Sequence, residues 1–420
     1  MSHHTVKDGY KKLVDRINRF PQGAPPSELL FKILKLLFSE KEAELVAKVP
    51  IKPFTLAKAA KLWNLSEYEA EKVLNELAQK GIILDIIEDG VQTYLLPPPM
   101  AGFFEFSLMR VRSDMDQKAL AELYYQYLNV EEDFIKNLFV QGETNLGRVF
   151  VNEEALSAQN MLTVLDYEKT SHIIETASHI AVGTCYCRHK MLHLGKNCDA
   201  PLDICLTFNN SAQSLIKHKI AREIDREECK AIIQKAEAYN LVQFGENAQK
   251  GVNFICNCCG CCCEALLAAK RFGMLNPVQT TAFLPQIDTE ACTGCQKCIE
   301  ACPVDALELI ENTNKNTVRV NTDLCLGCGV CANNCATKAI SMKRRPEHII
   351  TPIDSVHRTV MMAIERGKLQ NLIFDNHAHL NHRAMAAILG AILKLPPIKQ
   401  TLALNQVKSK YLGWLLEKTY

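Results

Sequence analysis

No stretch of this chain approaches the roughly 20 consecutive apolar residues that a membrane-spanning helix needs. The opening residues, MSHHTVKDGYKKLVDRINRF, lack an apolar core and a small-residue cleavage site, so no secretory signal is expected. An excess of one charge is missing too: 48 Lys and Arg against 47 Asp and Glu leave +1. The whole-chain charge therefore singles out no partner. Walker A, H-E-x-x-H and G-x-G-x-x-G patterns are all absent. A nicotinamide or flavin site is thus not evident, and electrons for any redox role are expected from another protein.

Cysteine is what the chain has in quantity, 19 in 420 residues. Without a secretory signal, these thiols are expected to be reduced and ligated in the cytoplasm. Eight of them form two runs near the end. Cys292, Cys295, Cys298 and Cys302, followed by Pro303, make the first. Cys325, Cys328, Cys331 and Cys335, followed by Ala336, make the second. In a C-x2-C-x2-C-x3-C run, three thiolates on one tight loop reach three irons of a cubane, and the fourth reaches the partner cluster. A zinc site closes at four ligands and does not explain the triple.

The paired runs resemble a bacterial two-cluster ferredoxin over about residues 287–342. That resemblance implies two [4Fe-4S] clusters with crossed ligands. Cys335 joins Cys292, Cys295 and Cys298, and Cys302 joins Cys325, Cys328 and Cys331. It also implies a repeated α+β unit, with short helices expected at Val304-Asp305-Ala306-Leu307 and Thr337-Lys338-Ala339-Ile340. Ala336 stands where proline usually shapes the chain leaving a cluster, so the second loop is expected to be the less rigid.

The fold class expected is α+β and multidomain. Residues 1–97 read as a winged helix-turn-helix. The helix from Ser27 carries Leu29, Leu30, Ile33, Leu34 and Leu37 at helical spacing. Ser66 and Glu69 form a capping box, Gly81 ends the helix that follows, and residues 82–96 read as a hairpin wing. Glu67, Glu69, Glu71 and Glu76 on the would-be reading helix repel phosphate, so protein contact is expected and DNA is not. Residues 98–285 read as a mainly helical, cysteine-rich, cluster-binding domain, 286–345 as the ferredoxin-like domain, and 346–420 as a basic helical tail.

The middle domain holds two further cysteine groups. Cys185, Cys187, Cys198 and Cys205 lie among Arg188, His189, Lys190, His193 and Lys196. Four thiolates complete a set for a cubane or for zinc, and positive neighbours favour thiolate. An iron–sulfur cluster is the reading preferred. The second group is Cys256, Cys258, Cys259, Cys261, Cys262 and Cys263, six within eight residues. Alternate side chains of an extended strand point to opposite faces, so some of these thiols must turn away from any one cluster. Three readings stay open: a fourth cubane helped by Cys229, ligands supplied to the Cys185 cluster, or a reactive dithiol. One or two clusters beyond the ferredoxin pair are expected.

Cys258-Cys259-Gly260 loosely resembles the cysteine-rich repeat of heterodisulfide reductase catalytic subunits, although here the repeat occurs once and its final C-x-x-C belongs to the ferredoxin run. The whole order of segments resembles the multi-cluster 4Fe–4S dicluster-domain proteins of anaerobic bacteria, which implies electron transfer. The tail carries twelve Lys and Arg against five Asp and Glu over residues 341–420. Packing on the cluster domains, docking of an acidic redox partner, and contact with an anionic membrane surface are the readings for it. The function expected is passage of single electrons between redox partner proteins. The alternatives are a reductase working at residues 256–263 and a redox-sensing regulator using the winged helix.

Overall fold

The computed structural model describes residues 2–374 except 89, 274–276, 312–314 and 347–350, and leaves aside the side chains of residues 2–8 and 163. The chain opens on α1 (Ser2–Arg19), which buries Tyr10, Leu13, Val14 and Ile17 on one face. Next come α2 (Glu28–Leu37), capped by Ser27, and α3 (Glu40–Val46), with a Ser39–Glu42 capping box. α4 (Leu56–Trp63) stops at Asn64, whose φ of 54° is left-handed. α5 (Glu67–Gln79) opens on the expected Ser66–Glu69 box, with Ser66 N–H donating to Glu69 at 3.0 Å and Glu69 N–H to Ser66 Oγ at 3.3 Å. Gly81 takes a φ of 77°, as a left-handed helix stop requires. β1 (Leu84–Glu88) and β2 (Val91–Leu95) pair antiparallel as the hairpin.

The hairpin is anchored from outside its own unit. The Asp85 carboxylate accepts from Ser214 Oγ at 2.6 Å and from Lys217, and lies 3.0 Å from His218 Nε2. Burial alone would raise its pKa, but the bonds from His218, Lys217 and Ser214 hold it well below the carboxylate range. A folded value below the unfolded one stabilises above about pH 4, and the gain is lost as pH falls further. Asp85→Asn should therefore cost about 1.5–3 kcal/mol at neutral pH and flatten the acid limb of the stability–pH curve. Urea unfolding at pH 7 and at pH 3 checks this.

α6 (Phe104–Phe106), α7 (Gln117–Tyr125) and α8 (Asp133–Phe139) follow, joined by an aromatic core of Phe103, Phe104, Tyr124, Tyr127 and Phe134. The chain then alternates strands and helices: β3 (Gly147–Val149), α9 (Ala158–Thr163), α10 (Thr170–Thr176), β4 (Ile180–Thr184) and α11 (Tyr186–His193). β5 (Asp203–Phe208), α12 (Asn209–Lys217), β6 (Arg222–Glu223), α13 (Arg226–Ala238), β7 (Val242–Glu246), β8 (Phe254–Cys258) and α14 (Glu264–Phe272) complete the region. The strands form one six-stranded antiparallel sheet in the order β3-β7-β8-β5-β4-β6.

This sheet adds to the mainly helical reading of the middle domain, where helices still hold more residues than strands. β4, β5 and β7 are buried almost throughout, so their sequences lack the polar alternation that marks a half-exposed strand.

The last cysteine-rich unit runs β9 (Phe283–Ile287), α15 (Lys297–Glu300), β10 (Leu307–Ile310), β11 (Thr317–Val320), α16 (Val330–Asn333) and β12 (Ile340–Arg344). β9 pairs with β12 and β10 with β11, both antiparallel. Its two halves repeat in backbone conformation. Gly294 and Gly327, Gln296 and Gly329, and Asp305 and Lys338 are all left-handed at matching offsets. The short helices lie inside the cysteine runs rather than at Val304-Asp305-Ala306-Leu307 and Thr337-Lys338-Ala339-Ile340. Left-handed Asp305 and Lys338 block a helix there, and the chain enters β10 and β12 instead.

α17 (Ser355–Glu365) and α18 (Leu369–Ile373) close the described chain. Arg366 and Lys368 donate to the carbonyls of Pro21 and Phe20, and Arg358 pairs with Glu246 at 2.8 Å. This first part of the tail packs on the body. The rest of it, including the apolar stretch of residues 384–393 and the lysines beyond residue 374, lies outside the described residues. Among those described, no helix is long and apolar enough to cross a membrane.

Candidate metal centres

The two cysteine runs sort into an inner and an outer set. Cys302, Cys325, Cys328 and Cys331 line one cavity. Burial pushes the thiols of Cys325, Cys328 and Cys331 up, Cys328 to about 12, and Cys302 repels all three. On the outer side Cys298 is raised by burial and then by Cys295 and Cys335. Cys295 is exposed, and the Lys297 amide lowers its pKa. Backbone amides also aim at the inner sulfurs: Ala306 N–H donates to Cys302 Sγ at 3.3 Å, and Gly327 and Val330 serve Cys325 and Cys328. Converging thiols met by amide donors fit an anionic cluster, whose charge and sulfurs those donors stabilise.

Pro303 and Ala336 mark which half faces the body. Pro303 is buried and Ala336 is exposed. A Cβ built on Gly260 would press on the carbonyl of Pro303, with the carbonyl carbon 2.9 Å and the Cα 3.1 Å away. Asn152 N–H donates to the Cys328 carbonyl at 2.8 Å, Arg345 to the Cys325 carbonyl at 2.7 Å, and Lys270 pairs with Asp305 at 3.0 Å. The inner half of the unit thus faces the body, with Pro303 against the six-cysteine segment.

That segment splits its thiols. Cys256 and Cys258, two apart on β8, and Cys263 line a cavity of about 50 Å³ together with Cys185, Cys187, Cys205 and Cys259. Cys205 Sγ is 3.9 Å from Cys256 Sγ, and Cys258 Sγ is 3.1 Å from Cys263 Sγ. Cys263 is the N-cap of α14. Thiol donors Cys187 and Cys258, then the amides of Leu266 and Ala265, hold it well below the usual thiol range. Cys187 and Cys258 are pushed up in exchange. Glu105 faces the same cavity, and burial raises its carboxyl to about 7.

A second point gathers the remaining thiols, with Cys259 on the wall shared by cavity and second group. Cys259, Cys261 and Cys262 meet Cys198, with all four sulfurs within 4.8 Å of one another. The expected set of Cys185, Cys187, Cys198 and Cys205 is therefore divided. β5 begins between the last two, so Cys205 is carried into the sheet and Cys198 stays in the loop after α11. Cys229 is fully buried on α13 and belongs to neither group. Arg188, 1% exposed, lies between the groups and donates to the carbonyls of Pro201 and Asn257 at 2.7 and 2.6 Å. The charges of Cys185, Cys259 and Cys258 raise its pKa against burial. His189 bonds the Leu108 carbonyl at 2.8 Å, and Lys196 lies over the Tyr125 ring.

Residues 285–342 match the family model of the 4Fe-4S dicluster domain. The match takes in all eight cysteines of the two runs and leaves the thiols of the middle region outside it. No curated protein and no solved structure matches the chain. The dicluster domain supports an iron–sulfur, electron-transfer role.

Sequence reasoning missed Glu105 and the Lys190–Glu264 pair. Glu105 sits in an apolar stretch, MAGFFEFSLM, where a lone acid was the available signal. Lys190 reads as one of several basic neighbours, yet it is fully buried against Glu264 and 2.9 Å from Asn129.

Proposed function

We propose that this protein is a cytoplasmic multi-cluster iron–sulfur protein that passes single electrons between redox partner proteins. In this reading Cys335 completes the outer set with Cys292, Cys295 and Cys298, and Cys302 the inner set with Cys325, Cys328 and Cys331. Cys185, Cys187, Cys205, Cys256, Cys258 and Cys263 supply the thiols for a further cluster in the thiol-lined cavity. When bound, such clusters supply one-electron carriers whose potentials follow charge, hydrogen bonding and exposure. The observation that carries the reading is the packing of Gly260 on Pro303, which joins the cavity segment to the inner set. Exposed Cys295 at the far side suits exchange with a partner protein.

The test is EPR of anaerobically purified, chemically reduced protein, together with the rate of electron passage to a one-electron acceptor dye. Cys335→Ala should remove the signal of the outer set, and Cys302→Ala that of the inner set. A protein that passes no electrons to the dye, or in which Cys335→Ala leaves the outer signal intact, would sink the assignment.

The N-terminal unit is read as a winged helix used for protein contact. Tyr68 of α5 is 79% exposed among Glu67 and Glu71, and the hairpin is tied down by Asp85. No retardation of mixed duplex DNA at physiological salt is expected.

One observation favours the reductase alternative. A second cavity, about 180 Å³, shares Glu105, Cys205 and Cys256 with the thiol cavity. It offers room for a small acceptor beside a carboxyl that holds a proton near neutral pH. Steady consumption of an added disulfide by the reduced protein would favour that reading over the first.

A further inference from the structure

Among the described residues, one group of metal-donor side chains closes on a single point. It is Cys198, Cys259, Cys261 and Cys262, all within 4.8 Å of one another. Cys198 Sγ is 3.6 Å from Cys259 Sγ, and Cys261 Sγ is 3.6 Å from Cys262 Sγ. One ion held tetrahedrally by thiolates at about 2.3 Å sets its sulfurs about 3.8 Å apart. A cubane keeps its thiolates wider, because four irons stand between them. Neither set of the dicluster domain draws together within the same limit, and nor do the other thiols around the cavity. Spacing thus separates this quartet from every other cysteine group described.

We propose that Cys198, Cys259, Cys261 and Cys262 bind a single zinc ion in a closed, tetrahedral four-thiolate site, distinct from any iron–sulfur cluster. Three donors come from one tight turn and the fourth from the loop after α11. Adjacent Cys261 and Cys262 reach the same point because the chain turns there. Zinc and four thiolates sum to two negative charges, and the buried Arg188 guanidinium beside Cys259 offsets part of that. Four protein ligands leave no open position, so the ion is structural. Its work is to staple the Cys198 loop to the turn whose Gly260 touches Pro303 and whose flanks carry Cys258 and Cys263 into the cavity. The ion fixes the spacing between cavity and dicluster domain.

The test uses full-length protein from cells supplied with both iron and zinc. Metal analysis should find about one zinc per chain, with X-ray absorption at the zinc edge showing four sulfurs at about 2.3 Å. Cys198→Ala and Cys261→Ala should each abolish zinc while leaving iron content and the reduced EPR spectrum unchanged. Wild-type protein without zinc would overturn the proposal, as would loss of iron from either variant. The absorption measurement needs no variant, so a substitution that misfolds cannot obscure the result. The outcome is also independent of electron passage to dyes, and either reading can fail alone.

Discussion

Replacing Lys190 with methionine is expected to destabilise the protein by about 3–5 kcal/mol, read from urea unfolding of the anaerobic holoprotein. The Lys190 side chain has no exposed surface and that of Glu264 3%. Glu264 lines the thiol cavity, and Asn129 completes the network through bonds of 2.9 Å to Lys190 and 2.8 Å to Glu264. Taking away the ammonium leaves a carboxylate in a dry site with one amide for company. That is far worse than having no ion pair at all, because the desolvation cost of the surviving charge is no longer offset. Glu264 follows Cys263 directly and opens α14, so the damage reaches the cavity. The control is Lys190→Met combined with Glu264→Leu. An apolar pair of similar volume should recover most of the loss. A double variant as unstable as the single one would mean that packing, and not the unpaired charge, sets the cost.

What could be read in the sequence follows from how local each signal is. A capping box spans four residues, and Ser66 with Glu69 marks a helix start without help from the rest of the chain. The two cysteine runs are equally local: loops that wrap a cluster need three thiols at fixed short spacing. Alternation along an extended segment led to the expectation that the thiols of 256–263 divide, but only Cys256 and Cys258 lie on a strand, and the others are directed by the turn after β8. The partner of each half could not be read, because partners come from the sheet. Cys198 and Cys205 look like members of one loop until β5 is known to start at Asp203 and to pair with β4 and β8. The sheet itself was hidden because its strands are short and β4, β5 and β7 are buried on both faces, which removes the period-two pattern. Asp85 shows the same limit. Nothing near it in sequence explains a buried acid on a hairpin; Ser214, Lys217 and His218 do, from more than a hundred residues away.

The contact between Gly260 and Pro303 is where the middle region and the dicluster domain depend on one residue. Gly260→Val should slow electron passage between the cavity and the inner set while every centre keeps its own EPR signal. The cause is steric. Gly260 is not among the glycines with positive φ, so its backbone does not by itself demand glycine. A Cβ there does not fit, because the atoms it meets are the O, C and Cα of Pro303. Backbone cannot swing aside as a side-chain tip can, so the two units must part. Overpacking a tight contact of this kind costs about 1–3 kcal/mol. The remaining contacts, Asn152 to the Cys328 carbonyl and Lys270 to Asp305, should keep the domain attached but displaced. Rapid reduction of the variant, with the centres followed separately by freeze-quench EPR, reads the effect. Gly260→Ala should fall between wild type and Gly260→Val. If both variants equilibrate their centres as fast as wild type, electrons do not cross at this turn, and the contact serves assembly alone.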